Sequence, residues 1–211
     1  MMAALYSADE FRQRVSTRLP DGQARQFGDH RFNPGLEDYF KNIKRQPAAV
    51  LVPVVAHEGE ATVLLTERTH DLPSHPGQIA FPGGKVDAAD DSVEAAALRE
   101  AQEEIGLKPT QVNIVGRAPD YLTGSGFHIA PVLGLVAPGA ELTLNPGEVA
   151  DAFEVPLSFL MNPANHRRGS RIWQGVERTF FEMPYQDRYI WGVTAGILRV
   201  LYEQLYGDGR E

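Results

Sequence analysis

Three glutamates, Glu100, Glu103 and Glu104, stand within one helical turn of each other in the stretch over residues 83–107, GGKVDAADDSVEAAALREAQEEIGL. Residues three and four apart share a helix surface, and like charges there repel. Burial would raise that cost or push the carboxyls toward protonation. A solvated acidic face is the commoner outcome for a bare Glu-x-x-Glu-Glu. A divalent cation that prefers oxygen ligands, Mg²⁺ or Mn²⁺, would satisfy all three at once. Arg99 supplies one charge but is expected on a different side of the helix.

The stretch carries its own punctuation. Gly83 and Gly84 follow Phe81-Pro82, which predicts a strand ending in a turn. Asp91 with Glu94 three residues on predicts a capping box, and Gly106 after Ile105 predicts the stop. Between them Ala97, Leu98, Ala101 and Ile105 recur at helical spacing, so that side faces the core.

Gly84, Arg99-Glu100, Glu103-Glu104 and Gly106 together resemble the Nudix box, GX5EX7REUXEEXGU, in which U is a bulky apolar residue. The right half matches residue by residue, except that Ala101 is small for its U position. The left half is one residue longer, and Asp90 stands where the pattern has Glu. Asp87, Asp90 and Asp91 are therefore all open as the partner of Arg99, which the resemblance makes a structural salt bridge. Upstream, residues 64–84, LLTERTHDLPSHPGQIAFPGG, resemble the extra signature of the coenzyme A pyrophosphatase group of Nudix proteins. Leu64, Leu65, Thr66, Arg68, Leu72, His75, Gly77, Gln78 and Phe81 through Gly84 match it, while Pro73 replaces an arginine.

The resemblance implies an α/β/α sandwich on a mixed β-sheet over residues 48–206, after an N-terminal helical or irregular extension (1–47) and before a short tail (207–211). It implies water-driven cleavage of a diphosphate, with Mg²⁺ or Mn²⁺ on Glu100, Glu103, Glu104 and a carbonyl of Gly83 or Gly84. Glu103 or Glu148 would take the proton. Glu148 is singled out because a glutamate from outside the box often approaches the metals in this family; an acid beside a Pro-Gly turn is otherwise usually just solvated. The implied substrate is coenzyme A or a derivative. Arg68, His75 and Lys85 are candidates for its phosphates, and Ser125 and Phe127 for lining the cleft. A lone loop histidine is more often a surface residue, and Phe127 fits a plain core position equally well. Two other readings stay open: a Nudix pyrophosphatase acting on ADP-ribose, NADH or dinucleoside polyphosphates, and a non-catalytic ligand sensor, which would not need the acidic cluster.

The rest of the chain sets bounds. Its 211 residues suffice for one substantial domain. A net charge of −8 argues against a general nucleic-acid binder, and no apolar run is long enough to cross a membrane. The partner expected is a small nucleotide, with a homodimer as the assembly to consider. The absence of cysteine excludes disulfides and thiolate zinc sites. No signal-peptide pattern opens the sequence, so a cytoplasmic location is expected. Ser7 with Glu10 predicts a short N-terminal helix with Phe11, Val15 and Leu19 inward, ended by Pro20-Asp21-Gly22, and residues 36–45 predict another. Strands are expected at 48–56, with a bulge or edge at Pro53, and at 61–68, 78–81, 111–118, 129–136 and 149–157. His166-Arg167-Arg168 reads as a basic loop, residues 171–174 and 178–183 as a hairpin, and residues 193–206 as a terminal helix.

Overall fold

The most apolar stretch becomes a central strand, and its alternation shows why. β2 (Gln46–Val55) turns Ala49, Leu51 and Val55 to one face and Ala48, Val52 and Val54 to the other. Each set joins a different buried cluster. Burial on both faces requires cover on both faces. In a computed structural model, which describes residues 5–19, 26–72, 74–173 and 175–207, helices supply it.

β2 runs parallel to β8 (Phe127–Val136), from Gln46 opposite Phe127 to Val55 opposite Val136. Its other edge carries two antiparallel partners, β5 (Gly83–Lys85) at Ala48 through Val50 and β3 (Thr62–Arg68) at Val54 and Val55. β4 (Ile79–Ala80) and β9 (Val149–Pro156) pair with β3. β6 (Val112–Arg117) and β7 (Tyr121–Leu122) pair with β8. The sheet is mixed, and the fold is the expected α/β/α sandwich.

The bulge or edge expected at Pro53 is corrected. Register with β8 passes unbroken through Pro53 opposite Gly134. Leu51 donates to Pro82 on the β5 side, while Ala56 donates to Val136 of β8. Pro53, in phase with Leu51, lacks its N–H in the gap between the β5 and β3 pairings. No ladder bond is lost there.

On one face lies α3 (Val93–Ile105), with Ala96, Ala97, Ala101 and Ile105 fully buried and Leu98 at the margin. Gly106, at φ +71°, ends it in the left-handed conformation that glycine adopts without strain. The cap expected at Asp91 is corrected to Ser92, whose Oγ accepts from the Ala95 N–H at 3.1 Å. The helix begins one residue later, so Ser92 is the residue within reach of that donor.

The opposite face is covered by α1 (Ala8–Arg18) and by α5 (Val193–Leu201), which continues through a π-helical turn to Tyr206. Ser7 caps α1, and Phe11, Val15 and Leu19 are buried, as are Ile197, Leu198, Leu201 and Leu205. A second helix, α2 (Glu37–Asn42), is shorter than expected, and α4 (Leu157–Leu160) follows β9. A separate antiparallel sheet contains β10 (Arg167–Trp173), β11 (Val176–Tyr185) and β12 (Arg188–Trp191). The basic loop is corrected: Arg167 and Arg168 open β10, and His166 is buried with Nε2 at 2.6 Å from the Leu160 carbonyl. The hairpin is also longer than expected; its Gln174, like the stop at 20–22 and Pro73, lies outside the described residues.

The N-terminal region is not only laid on the sheet through α1 but also woven into it. β1 (Phe27–Gly28) pairs in parallel with β7, Phe27 opposite Tyr121. Asp29 then accepts from the Tyr121 hydroxyl at 2.8 Å and from the Gly124 N–H at 2.7 Å.

Candidate active site

Register brings β5 and α3 together. Gly84 lies opposite Ala49 and Gly83 opposite Val50, beneath the turn of α3 that carries Glu100 and Glu104. A Cβ at Gly84 would stand 2.5 Å from the Glu100 carboxylate, and one at Gly83 would stand 2.4 Å from the Ala49 carbonyl. Both glycines are thus demanded by close approach. The Gly83 N–H donates to Glu104 Oε2 at 3.2 Å.

Glu104 is 4% exposed, the most buried acid of the group. Burial pushes its carboxyl up to about 7, against the pull of the Gly83 N–H; Glu100 and Glu148 push it further, and Arg68 opposes. Glu100 is raised as well, mainly by burial, with Arg99 opposing and Glu103 and Glu148 adding to the rise. Arg68 Nη1 is 4.0 Å from Glu104 Oε1.

The direction expected for Arg99 is corrected. Its Nη1 donates to Glu100 Oε1 at 2.9 Å and to Glu103 Oε2 at 3.1 Å. Nε and Nη2 grip Asp90 at 3.0 and 2.9 Å, and Nη2 also reaches the Lys85 carbonyl at 3.1 Å. A long helical side chain leans toward the preceding turn, where the loop before α3 presents Asp90. Among the three acids left open by sequence, Asp90 makes the two-pronged bond, while Asp87 is 3.7 Å away. The guanidinium holds the Asp90 carboxyl below the usual range.

Glu148 arrives from the turn before β9. Asn145 Nδ2 donates to Glu148 Oε1 at 3.2 Å, and the Asn145 N–H donates to the Glu104 carbonyl at 2.8 Å. Asn145 therefore ties the Glu148 loop to the end of α3. The sequence marks it only as part of an Asn-Pro-Gly turn, because the contact that gives it a role is long-range.

Among the described residues, the side chains of the other candidates form no hydrogen bond or ion pair with these acids. His75 is exposed in a turn at φ +56°. Lys85 is exposed and uses its carbonyl. Ser125 Oγ bonds Thr123 Oγ1 at 3.0 Å. Phe127 is half-buried against the cluster on the sheet face opposite α3. The structure thus groups Glu100, Glu104, Glu148, Arg68 and the Gly83–Gly84 backbone, with Glu103 outward on Arg99.

Among the described residues, no trio of acidic or histidine side chains is drawn together as a metal cage. Arg99 neutralises Glu100 and Glu103 instead. The donor chemistry nonetheless fits a hard cation: two carboxylates raised by burial, beside a glycine cradle with no room for a methyl group.

A family model described as the NUDIX domain matches residues 44–173. The chain is 40% identical over 163 residues to "Uncharacterized Nudix hydrolase NudL" of Enterobacter sp. (strain 638), covering 77% of this chain and 84% of that protein. It is 41% identical over 172 residues to the protein of the same name from Cronobacter sakazakii, covering 78% and 85%. Among solved structures, it resembles a C. elegans Ap4A hydrolase binary complex with a TM-score of 0.46 and 23% identity, over 54% of this chain and 81% of that one.

Proposed function

The chain belongs to the Nudix family, and from that premise we propose that it is a metal-dependent pyrophosphohydrolase cleaving the diphosphate of coenzyme A or its derivatives. The observation that carries the reading is the pair Glu100 and Glu104, half-buried and buried, facing a glycine backbone that a methyl group would obstruct. Glu100 and Glu104, with Glu103 and a carbonyl of Gly83 or Gly84, would hold Mg²⁺ or Mn²⁺, which when bound offsets phosphate charge and lowers the pKa of water.

The chain's own groups supply the rest. Glu148, on a separate loop held by Asn145, accepts a proton from the attacking water. The water oxygen bonds to one phosphorus and the bridging P–O bond breaks, releasing 3′,5′-ADP and 4′-phosphopantetheine or its acyl form. Arg68 adds positive charge beside Glu104. Arg99 orients Glu100 while tied to Asp90. The choice of coenzyme A is supported by the match over residues 64–84, which lies outside the box and so bears on substrate rather than on chemistry common to the family. A cytoplasmic enzyme fits this reading.

A substrate screen tests it. Coenzyme A, dephospho-coenzyme A, ADP-ribose and NADH are incubated with Mg²⁺ or Mn²⁺ and the products identified by mass. The reading expects metal-dependent release of 3′,5′-ADP from coenzyme A; absence of that product with either metal overturns it.

A further inference from the structure

We propose that Arg45 and Arg178, beside the loop at residues 123–126, form a second anion site that takes the ribose 3′-phosphate of the substrate. The inference rests on the reading above for the identity of the substrate, but on separate residues. It offers partners for that phosphate other than Arg68, His75 and Lys85, of which Arg68 lies beside Glu104 and the other two are exposed.

The molecule carries a net charge of −8, yet cations gather here. Arg45 and Arg31 both bear on His30, whose imidazole is lowered first by burial and then by those two charges. Arg178 bears on Asp29, and Arg178 Nη1 and Asp29 Oδ2 would stand 3.3 and 3.4 Å from the same Cβ at Gly124. Asp29 is the carboxylate at the centre, but its oxygens already accept from Tyr121 and Gly124, and burial pushes its carboxyl up. Arg31 pairs with Glu203 at 3.2 Å. Among the described residues neither Arg45 nor Arg178 has a carboxylate within ion-pair distance.

Both guanidinium groups also keep a buried donor idle. The Nε atoms of Arg45 and Arg178 are buried without a hydrogen-bond partner. A buried charged donor left unsatisfied is costly, and an anion held on the Nη atoms of the two groups would offset that cost. Their placement is fixed: Arg45 Nη2 donates to the Phe40 carbonyl at 2.6 Å, and the Arg178 guanidinium lies 4.5 Å from the Tyr39 ring centroid. Tyr39 in turn donates to the Gly124 carbonyl at 2.8 Å. A Cβ at Gly124 would stand 3.3 Å from Arg178 Nη1, so a bare backbone lets the arginine lie close to the loop.

The location suits a group one sugar away from the diphosphate. Arg45 immediately precedes β2, and Ala49, four residues on, is opposite Gly84. Four strand residues span about 13 Å, which sets the scale of the separation between the diphosphate and the second anion site. A phosphate monoester offers several acceptor oxygens to two guanidinium forks.

Calorimetric titration of the full chain with adenosine 3′,5′-bisphosphate and with AMP, both in Mg²⁺, tests the site without turnover. The wild type is expected to bind the bisphosphate at least about tenfold tighter, the effect of one good charge-assisted contact. Arg45→Gln and Arg178→Gln should each abolish that preference and leave AMP binding unchanged, and Arg45→Lys should keep part of it; thermal unfolding verifies that each variant is folded. Equal binding of the two nucleotides by the wild type, or an undiminished preference in the folded glutamine variants, overturns the proposal. A 3′-phosphate preference without coenzyme A hydrolysis would fault the catalytic reading alone. Coenzyme A hydrolysis with no such preference would fault this site alone.

Discussion

Gly84 and Glu100 are in such close opposition that a methyl group on one would lie 2.5 Å from the carboxylate of the other. The clash falls on the Glu100 carboxylate itself, which must move aside. Gly84→Ala is expected to weaken Mg²⁺ or Mn²⁺ binding at least about tenfold, ~1.4 kcal/mol, in a protein that still folds. Metal titration by calorimetry checks this, and unchanged affinity would remove the glycine from the account.

The carboxylates themselves should matter more. Glu100→Gln or Glu104→Gln is expected to lower kcat at least about 100-fold, ~2.7 kcal/mol in transition-state stabilisation. Near-normal rates in both folded variants would show that the acidic pair does not serve the reaction.

Glu148 and Glu103 should separate kinetically. Glu148 sits on its own loop under Asn145, whereas Glu103 shares Arg99 with Glu100. Glu148→Gln should lower kcat more than it weakens metal binding, and Glu103→Gln should do both. Asn145→Ala should reproduce part of the Glu148→Gln loss. An unchanged kcat for Glu148→Gln would make that residue a bystander.

The carboxyl of Glu104, raised from 4.5 to about 7 mainly by burial, predicts a pH effect in metal-free protein. The folded state holds this proton more tightly than the unfolded chain, so between about 4.5 and 7 it binds more protons. Stability is therefore greatest below that window and falls as pH rises through it. Glu104→Gln should flatten this part of the profile and raise stability above pH 7 when metal is chelated. Denaturant titrations at several pH values measure it, and a wild-type slope retained in the variant would contradict the assignment.

What the sequence made legible was local or periodic. Alternation in β2, the helical spacing of Ala97, Ala101 and Ile105, and the Gly106 stop each follow from short-range rules, and the structure has them. The acidic cluster was legible too, because helix geometry alone brings Glu100 beside Glu104. The misses are long-range or matters of one residue. Ser92 rather than Asp91 caps α3, a single-residue choice between two good cap types. Pro53 is harmless in a central strand only because two different partners meet on either side of it. Asp90 could not be told from Asp87 or Asp91 without the path of the loop. Nothing local foretells that residues 27–28 pair with Tyr121-Leu122, or that Arg45 and Arg178 flank one loop.

Side-by-side kinetics on coenzyme A, dephospho-coenzyme A and ADP-ribose with Mg²⁺ test the substrate assignment. Binding energy from the 3′-phosphate and the pantetheine arm can be realised in the transition state and raise kcat/KM. Coenzyme A is expected to exceed both others by at least about tenfold in kcat/KM, one charge-assisted contact being worth ~1.5–3 kcal/mol, with 3′,5′-ADP and 4′-phosphopantetheine as products. Faster cleavage of ADP-ribose than of coenzyme A would contradict it.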